Sequence, residues 1–231
     1  MFDKPLQRSS VGHSTQLGCQ TRPQATYDET PAVYVINGDP SMRRSLEAIV
    51  RSTRWDVHGF CSAADFLSCR RSRAPACLVV DTVLPDSCGL ELQDRLNKSE
   101  SGMSVIFVMN RPDIPAAVRA VKAGAIEVLT NPIDSEVLLR ALQEAILRSE
   151  AELVEHSKLA TLRSDYASLT NREREVMMMV VSGLLNKQVG ARLGISEITV
   201  KAHRGQVMRK MKANSFADLV NKAAYLSRMS H

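Results

Sequence analysis

The sequence predicts an α/β protein, a doubly wound five-stranded parallel sheet, followed by an all-α domain of four helices. Three observations carry that expectation. Between residues 31 and 150, five apolar runs alternate with five segments of helical spacing. The runs AVYVI, ACLVVDTVL and MSVIFVM are apolar without alternation, which implies burial on both faces and hence a parallel sheet covered by helices. After Ser168 the strand signal ends and the charge changes: eleven Lys/Arg face four Asp/Glu, against nineteen and twenty-one in the rest of the chain.

Each element has a local reason. Residues 1–30 are polar, rich in Ser, Thr, Gln and Pro, and without periodicity, so they are expected to be a disordered tail. AVYVI is a buried strand, and SMRRSLEAIVRS places Met42, Leu46, Ile49 and Val50 at helical spacing. WDVHGF reads as a short strand, and Ser62 caps the helix of SAADFLSCR. ACLVVDTVL is a strand ending at Asp81, GLELQDRLNK a helix, and MSVIFVM a strand. IPAAVRAVKAGA is a helix stopped by Gly124, IEVLT a fifth strand, and SEVLLRALQEAILRSEAELVEHS a long helix. Residues 151–167 contain no Pro or Gly and read as a helical linker. In the domain from 168 to 231, Thr170 and Glu173 form a capping-box signature, and Gly183 and Gly194 end the first and second helices. A basic helix starts at Ser196 and a fourth covers SFADLVNKAAYLSRM. Met177, Met178, Met179, Val180 and Val181 are expected in the core.

Composition excludes several classes. No apolar run approaches the ~20 residues that span a bilayer, and the N-terminus lacks the apolar stretch of a secretory signal. A cytoplasmic protein is expected. Five cysteines, Cys19, Cys61, Cys69, Cys77 and Cys88, form no C-x-x-C pair. They read as reduced, mostly buried thiols, with Cys88 close enough to the strand ends for a redox role. No nucleophile–base pair and no glycine-rich phosphate loop points to an enzyme. The basic C-terminal third suggests a polyanion-binding module joined to a mildly acidic body.

Two constellations follow. In a doubly wound sheet, ligands sit beyond the carboxyl ends of the strands. Asn37-Gly38-Asp39, Asp81, Met109-Asn110 and Thr130-Asn131 are therefore candidates for one pocket. In the C-terminal domain, the helices over 186–193 and 196–211 meet at LGIS as a helix-turn-helix. On the second, Thr199, Lys201, Arg204, Gly205 and Arg209 are placed near one face. Ile198, Val207 and Met211 are placed on the opposite, packing side, with Val200 between. A basic face opposite a packing face suits a helix in the major groove.

The segment LTNREREVMMMVVSGLLNKQVGARLGISEITVKAHRGQVMRKMKANSFADLV resembles the LuxR-type helix-turn-helix of FixJ/NarL response regulators. Its L-T-x-R-E-x-E-V, G-x-x-N-K, L-x-I-S-x-x-T-V-K-x-H and M-x-K-M stand in order. The resemblance implies a transcriptional regulator that binds double-stranded DNA, with Lys187, Thr199, Lys201, His203 and Arg204 at backbone- or base-contacting positions. For His203, packing within the domain is an equal reading. The implied partners are a second copy of the chain, RNA polymerase and, if phosphorylation operates, a histidine kinase.

Residues 32–150 resemble the receiver domain of the same family, through CLVVDTVLPDSCGLELQ and VIFVMNRPDIPAAVRAVKAGAIEVLTNP. The family implies two acids on the first strand for Mg2+, a phospho-acceptor Asp, a Thr or Ser, a Lys, and an aromatic on the fifth strand. Here the acids fall on Asn37 and Gly38, the acceptor on Asp81, the hydroxyl on Met109, the Lys on Asn131 and the aromatic on Val128. Only the acceptor is kept. Asp39 lies one residue past the acid pair and is expected to point elsewhere. The resemblance thus implies an atypical receiver with weak or absent Mg2+ binding and no other cofactor. Regulation independent of Asp81 phosphorylation is expected. The alternatives are a phosphorylation-dependent regulator using Asp81 and a dimerisation partner that inactivates a paralogue.

Overall fold

The computed structural model describes residues 30–228, apart from Ser72 and Glu100. The expected disordered tail, but for Thr30, and Cys19 lie outside the described residues. Strands β1 (Ala32–Ile36), β2 (Asp56–Phe60), β3 (Ala76–Asp81), β4 (Ser104–Met109) and β5 (Glu127–Thr130) alternate with helices α1 (Pro40–Arg51), α2 (Ala63–Ser68), α3 (Gly89–Lys98), α4 (Ile114–Lys122) and α5 (Ser135–Ala167). The sheet is parallel with strand order β2-β1-β3-β4-β5. Every residue of β1, β3 and β4 is buried. The edge strands β2 and β5 are mostly exposed or half-buried, as a sheet covered chiefly at its centre requires.

Two apolar layers close the sheet. Tyr34, Ile36, Leu78, Val80 and Phe107 face Phe66, Leu92, Leu96 and Ala120. Val33, Val35, Val79, Ile106 and Val108 face Leu46, Val50, Leu138, Leu142 and Ile146. On α5 the positions Leu138, Ala141, Leu142, Ala145 and Ile146 make one stripe. Each large side chain there contributes about 1.5–3 kcal/mol on burial. The buried Ser149 hydroxyl donates to Gly102 O at 2.5 Å and accepts from Ala76 N at 2.9 Å, which fixes α5 against two strand starts.

Helix α5 runs unbroken for 33 residues, through the segment read as a linker. Beyond it lie α6 (Asn171–Val181), α7 (Asn186–Leu193), α8 (Glu197–Lys210) and α9 (Phe216–Arg228). The end of α5 supplies Leu162 to the core of Met177, Val207, Met211 and Leu219. Thr170 and Glu173 form the capping box of α6. Two of the apolar expectations need correction. Met178 is exposed while Met177 is buried, because neighbours on a helix stand about 100° apart. The thiols are not mostly buried: Cys77 is, but Cys61 and Cys69 are exposed and Cys88 is half-buried. No helix among the described residues is long and apolar enough to cross a membrane.

Candidate functional site at the strand ends and on the basic helix

The sheet brings the first constellation together at its carboxyl edge. Asn37, Asp81 and Met109 follow or end β1, β3 and β4, and all are buried, at 1%, 5% and 2% exposure. The Asn37 amide Nδ2 donates to Asp81 Oδ2 at 3.1 Å. Val83 N donates to Asp81 Oδ1 at 3.0 Å. Both carboxylate oxygens are thus held by fixed dipoles. Burial nevertheless pushes the Asp81 carboxyl above its ordinary value; the hydrogen bonds from Val83 and Asn37 oppose that rise without cancelling it. Asn37 is itself oriented: its Oδ1 accepts from Asp39 N at 2.8 Å, and its carbonyl accepts from the Arg43 guanidinium at 2.6 Å.

The Asp39 carboxylate is engaged by helix α1. Asp39 is the N-cap of α1, accepting from Ser41 N at 2.8 Å. A side chain at position 38 would enter occupied space, since a Cβ on Gly38 would stand 2.9 Å from Pro85 Cγ. Pro85 lies in a loop held by its neighbour: the Asp86 carboxylate accepts from Ala63 N and Ala64 N at 3.1 and 2.9 Å. Those hydrogen bonds hold the Asp86 carboxyl below the usual range. Nothing in the sequence announces this clasp, whose partners are more than twenty residues apart. Asn131 is exposed, and its backbone N donates to Met109 O at 2.9 Å. Val128 is half-buried against the sheet core.

This donor set does not fit a hard divalent cation. Mg2+ takes oxygen ligands, usually with one or two carboxylates. Asp81 is the buried carboxylate at the strand ends, the Asn37 group facing it is an NH2, and position 38 has no side chain, while Asp113 in the adjoining cleft caps α4 by accepting from Ala116 N. Among the described residues, no cluster of three or more His, Cys, Asp or Glu side chains is placed to hold a metal ion. Beside Asp81 a cleft of about 660 Å³ opens, lined by Thr82, Val83, Asn110, Arg111, Asp113 and Ile114 among others. Cys88 caps α3 without a side-chain bond to it, its sulfur 3.6 Å from Thr82 O.

The second constellation is built on α8. Gly194 ends α7 in the left-handed region at φ 66°, where glycine is favoured. A Cβ on Gly190 would meet Ile195 O at 2.7 Å, so the turn needs glycine for close approach. Ser196 caps α8 by accepting from Thr199 N at 3.1 Å. Val200, Val207 and Met211 are fully buried, against α6 and α7 for Val200 and against α6 and α9 for the other two.

The exposed side carries Thr199, Lys201, Gly205 and Arg209. Thr199 Oγ1 shares a hydrogen with Ser196 Oγ at 2.8 Å, Lys201 pairs with Glu197 at 3.3 Å, and Arg209 bonds Gln206. Lys187 is exposed in the first turn of α7, and His203 is half-buried. Two placements on α8 need correction. Arg204 is half-buried: its guanidinium stacks 4.5 Å from the Phe216 ring centroid and reaches Asn186 Oδ1 at 3.4 Å. Ile198 is not on the packing side, being 79% exposed.

A doubly wound receiver-type domain joined by one long helix to a helix-turn-helix defines a class of signal-responsive DNA-binding regulators. Comparison with known proteins places the chain within that class. The family described as "Response regulator receiver domain" matches residues 33–143, and that described as "Bacterial regulatory proteins, luxR family" matches residues 167–223. The response regulator protein TodT of Pseudomonas putida is 37% identical over 202 residues, covering 87% of this chain and 89% of that protein. Nodulation protein W of Bradyrhizobium diazoefficiens is 41% identical, covering 84% and 86%. The transcriptional regulatory protein FixJ of Azorhizobium caulinodans is 36% identical, covering 84% and 92%. The solved structure of the response regulator StyR superposes with a TM-score of 0.74 at 36% identity, over 85% of this chain and all of that one. The chain belongs to the response regulators with a LuxR-type DNA-binding domain, and it is a transcriptional regulator.

Proposed function

We propose that this regulator acts without phosphoryl transfer to Asp81, its receiver serving as a dimerisation or ligand- and partner-sensing module in a cytoplasmic homodimer. The observation that carries the reading is the Asn37 amide seated on the Asp81 carboxylate. Phosphoryl transfer relies on positioning and charge stabilisation. Here an amide stands where a carboxylate would hold a cation, and Pro85 fills the space beside Gly38. The Met109 thioether cannot donate to a phosphoryl oxygen. Asn131 brings no positive charge, and Val128 carries no aromatic ring to swing. Asp81 reads as a structural acceptor for Val83 N and Asn37. Support for the dimer comes from α4, where Ile114, Val118 and Val121 project from one exposed face at spacings of four and three.

Asp81 also lines the cleft that holds Arg111, which favours the phosphorylation-dependent reading as the alternative. Replacement of Asp81 by Asn separates the two. Reporter expression in the native host is expected to stay within about twofold of wild type, and acetyl phosphate with Mg2+ is expected to leave DNA affinity unchanged. Expression at background, with the fold intact by circular dichroism, would establish Asp81 as the switch.

A further inference from the structure

The exposure of Ile198 has no explanation in packing, and its place on α8 gives it one in recognition. Helix positions advance about 100° per residue. The buried stripe Val200, Val207 and Met211 therefore spans only about 40°. Diametrically opposite runs a second stripe, at spacings of four, three and four: Ile198, Ala202, Gly205 and Arg209, all exposed. Lys201 flanks it on one side, Thr199 and Gln206 on the other, and all three are exposed. When the helix lies in a groove with its packed face outward, this stripe meets the base edges and the flanking polar side chains meet the two walls.

The stripe is low. Ala202 is a methyl group, and a Cβ on Gly205 would meet nothing within 4 Å. Ile198 is its one large apolar side chain, 79% exposed in the first turn of the helix. In helix-turn-helix proteins the N-terminal residues of this helix reach the bases. The one apolar feature of the major-groove floor is the thymine 5-methyl group. Arg204, the more obvious reader, lies about 40° from the packing axis and is engaged by Phe216 and Asn186.

We propose that Ile198 determines sequence specificity by packing its branched side chain on a thymine methyl in the major groove. The charged residues beside it supply affinity, and Ile198 supplies a preference for thymine over cytosine at one position of each half-site. The inference rests on the LuxR-type DNA-binding domain and is independent of how the receiver is controlled.

The test uses the full chain and a duplex enriched by it from a randomised pool. Each thymine of the enriched site is replaced in turn by deoxyuridine, which deletes only the methyl group. One thymine per half-site is expected to respond, with affinity falling about fourfold, the value for one buried methyl. Ile198→Ala is expected to bind the thymine and uracil duplexes equally, and Ile198→Val to keep most of the discrimination. Because the residue is exposed, neither variant should change the thermal midpoint. The proposal is overturned if no thymine responds in the wild type. It is equally overturned if the response persists in Ile198→Ala, or if Ile198→Ala weakens cognate and scrambled duplexes alike.

Discussion

Replacement of Asn37 by Asp tests the electrostatics of the strand-end pocket directly. The change removes the amide that donates to Asp81 and sets a second carboxylate about 3.1 Å from the first. A hydrogen bond to a charged group contributes about 1.5–3 kcal/mol. Two full charges at that separation repel by about 5 kcal/mol at an effective dielectric of about 20. Partial solvation and proton sharing relieve some of this, so a loss of about 3–5 kcal/mol is expected at pH 7.5. A domain of this size holds about 5–15 kcal/mol, enough for the variant to fold. The sign with pH is fixed. Like charges raise the pair's folded pKa above the unfolded value, so the loss is absent at low pH and grows as pH rises through the folded value. At pH 5 a shared proton costs about 1–2 kcal/mol, and the loss should shrink to that. Urea unfolding followed by fluorescence reads this cleanly, because Trp55 is the chain's one tryptophan and packs against the sheet. Two facing carboxylates make a hard-cation site, so Mg2+ should restore stability to the variant and do nothing for the wild type. A loss under about 1 kcal/mol at pH 7.5, or one that does not shrink at pH 5, would refute the reasoning.

Three further outcomes are expected. Lys210 lies 2.6 Å from the buried Glu173 carboxylate and, with Thr170, holds its pKa below the ordinary 4.5. That stability is present above the unfolded value and lost as pH falls through the folded one. Lys210→Met should cost about 1–3 kcal/mol at neutral pH and flatten the acid limb of a thermal-midpoint profile. Arg204→Ala should cost about 0.5–1 kcal/mol of stability through its lost stacking on Phe216. It should leave the sequence enriched from random DNA unchanged; an altered preference would show that Arg204 leaves Phe216 to read a base. Lys187→Ala and Lys201→Ala should each lower the salt dependence of DNA binding by roughly 1, whereas Thr199→Ala should weaken binding with no change in slope.

The fold was legible because its determinants are local. The apolar runs of β1, β3 and β4 and the caps at Ser62, Thr170 and Ser196 each act within a few residues. The strand-end pocket was legible only in part. The alternation of strands and helices placed Asn37, Asp81 and Met109 at one edge, and Asp39 is taken up as the N-cap of α1. The partners of these residues were not readable. The Asn37–Asp81 bond spans 44 residues. The Asp86 clasp and the Pro85 ring over Gly38 depend on loop geometry that no periodicity encodes.

Helix α8 shows why the remaining misplacement happened and how it is repaired. Sorting its residues by polarity puts Ile198 with Val207 and Met211, and Arg204 with the lysines. Sorting by phase gives another answer. Val200, Val207 and Met211 agree in direction to within about 40°, and Ile198 stands about 200° from Val200. The partners on α6, α7 and α9, Val176, Val180, Val189, Met177 and Leu219, fix which direction is inward. Arg204 then falls at the margin of the packed face, where its guanidinium stacks on the Phe216 ring. Ile198 is left facing outward at the cost of exposed apolar surface, from which the domain core gains nothing. On a helix whose outer face meets DNA, that outlier from the hydrophobic phase marks a recognition residue rather than a core residue.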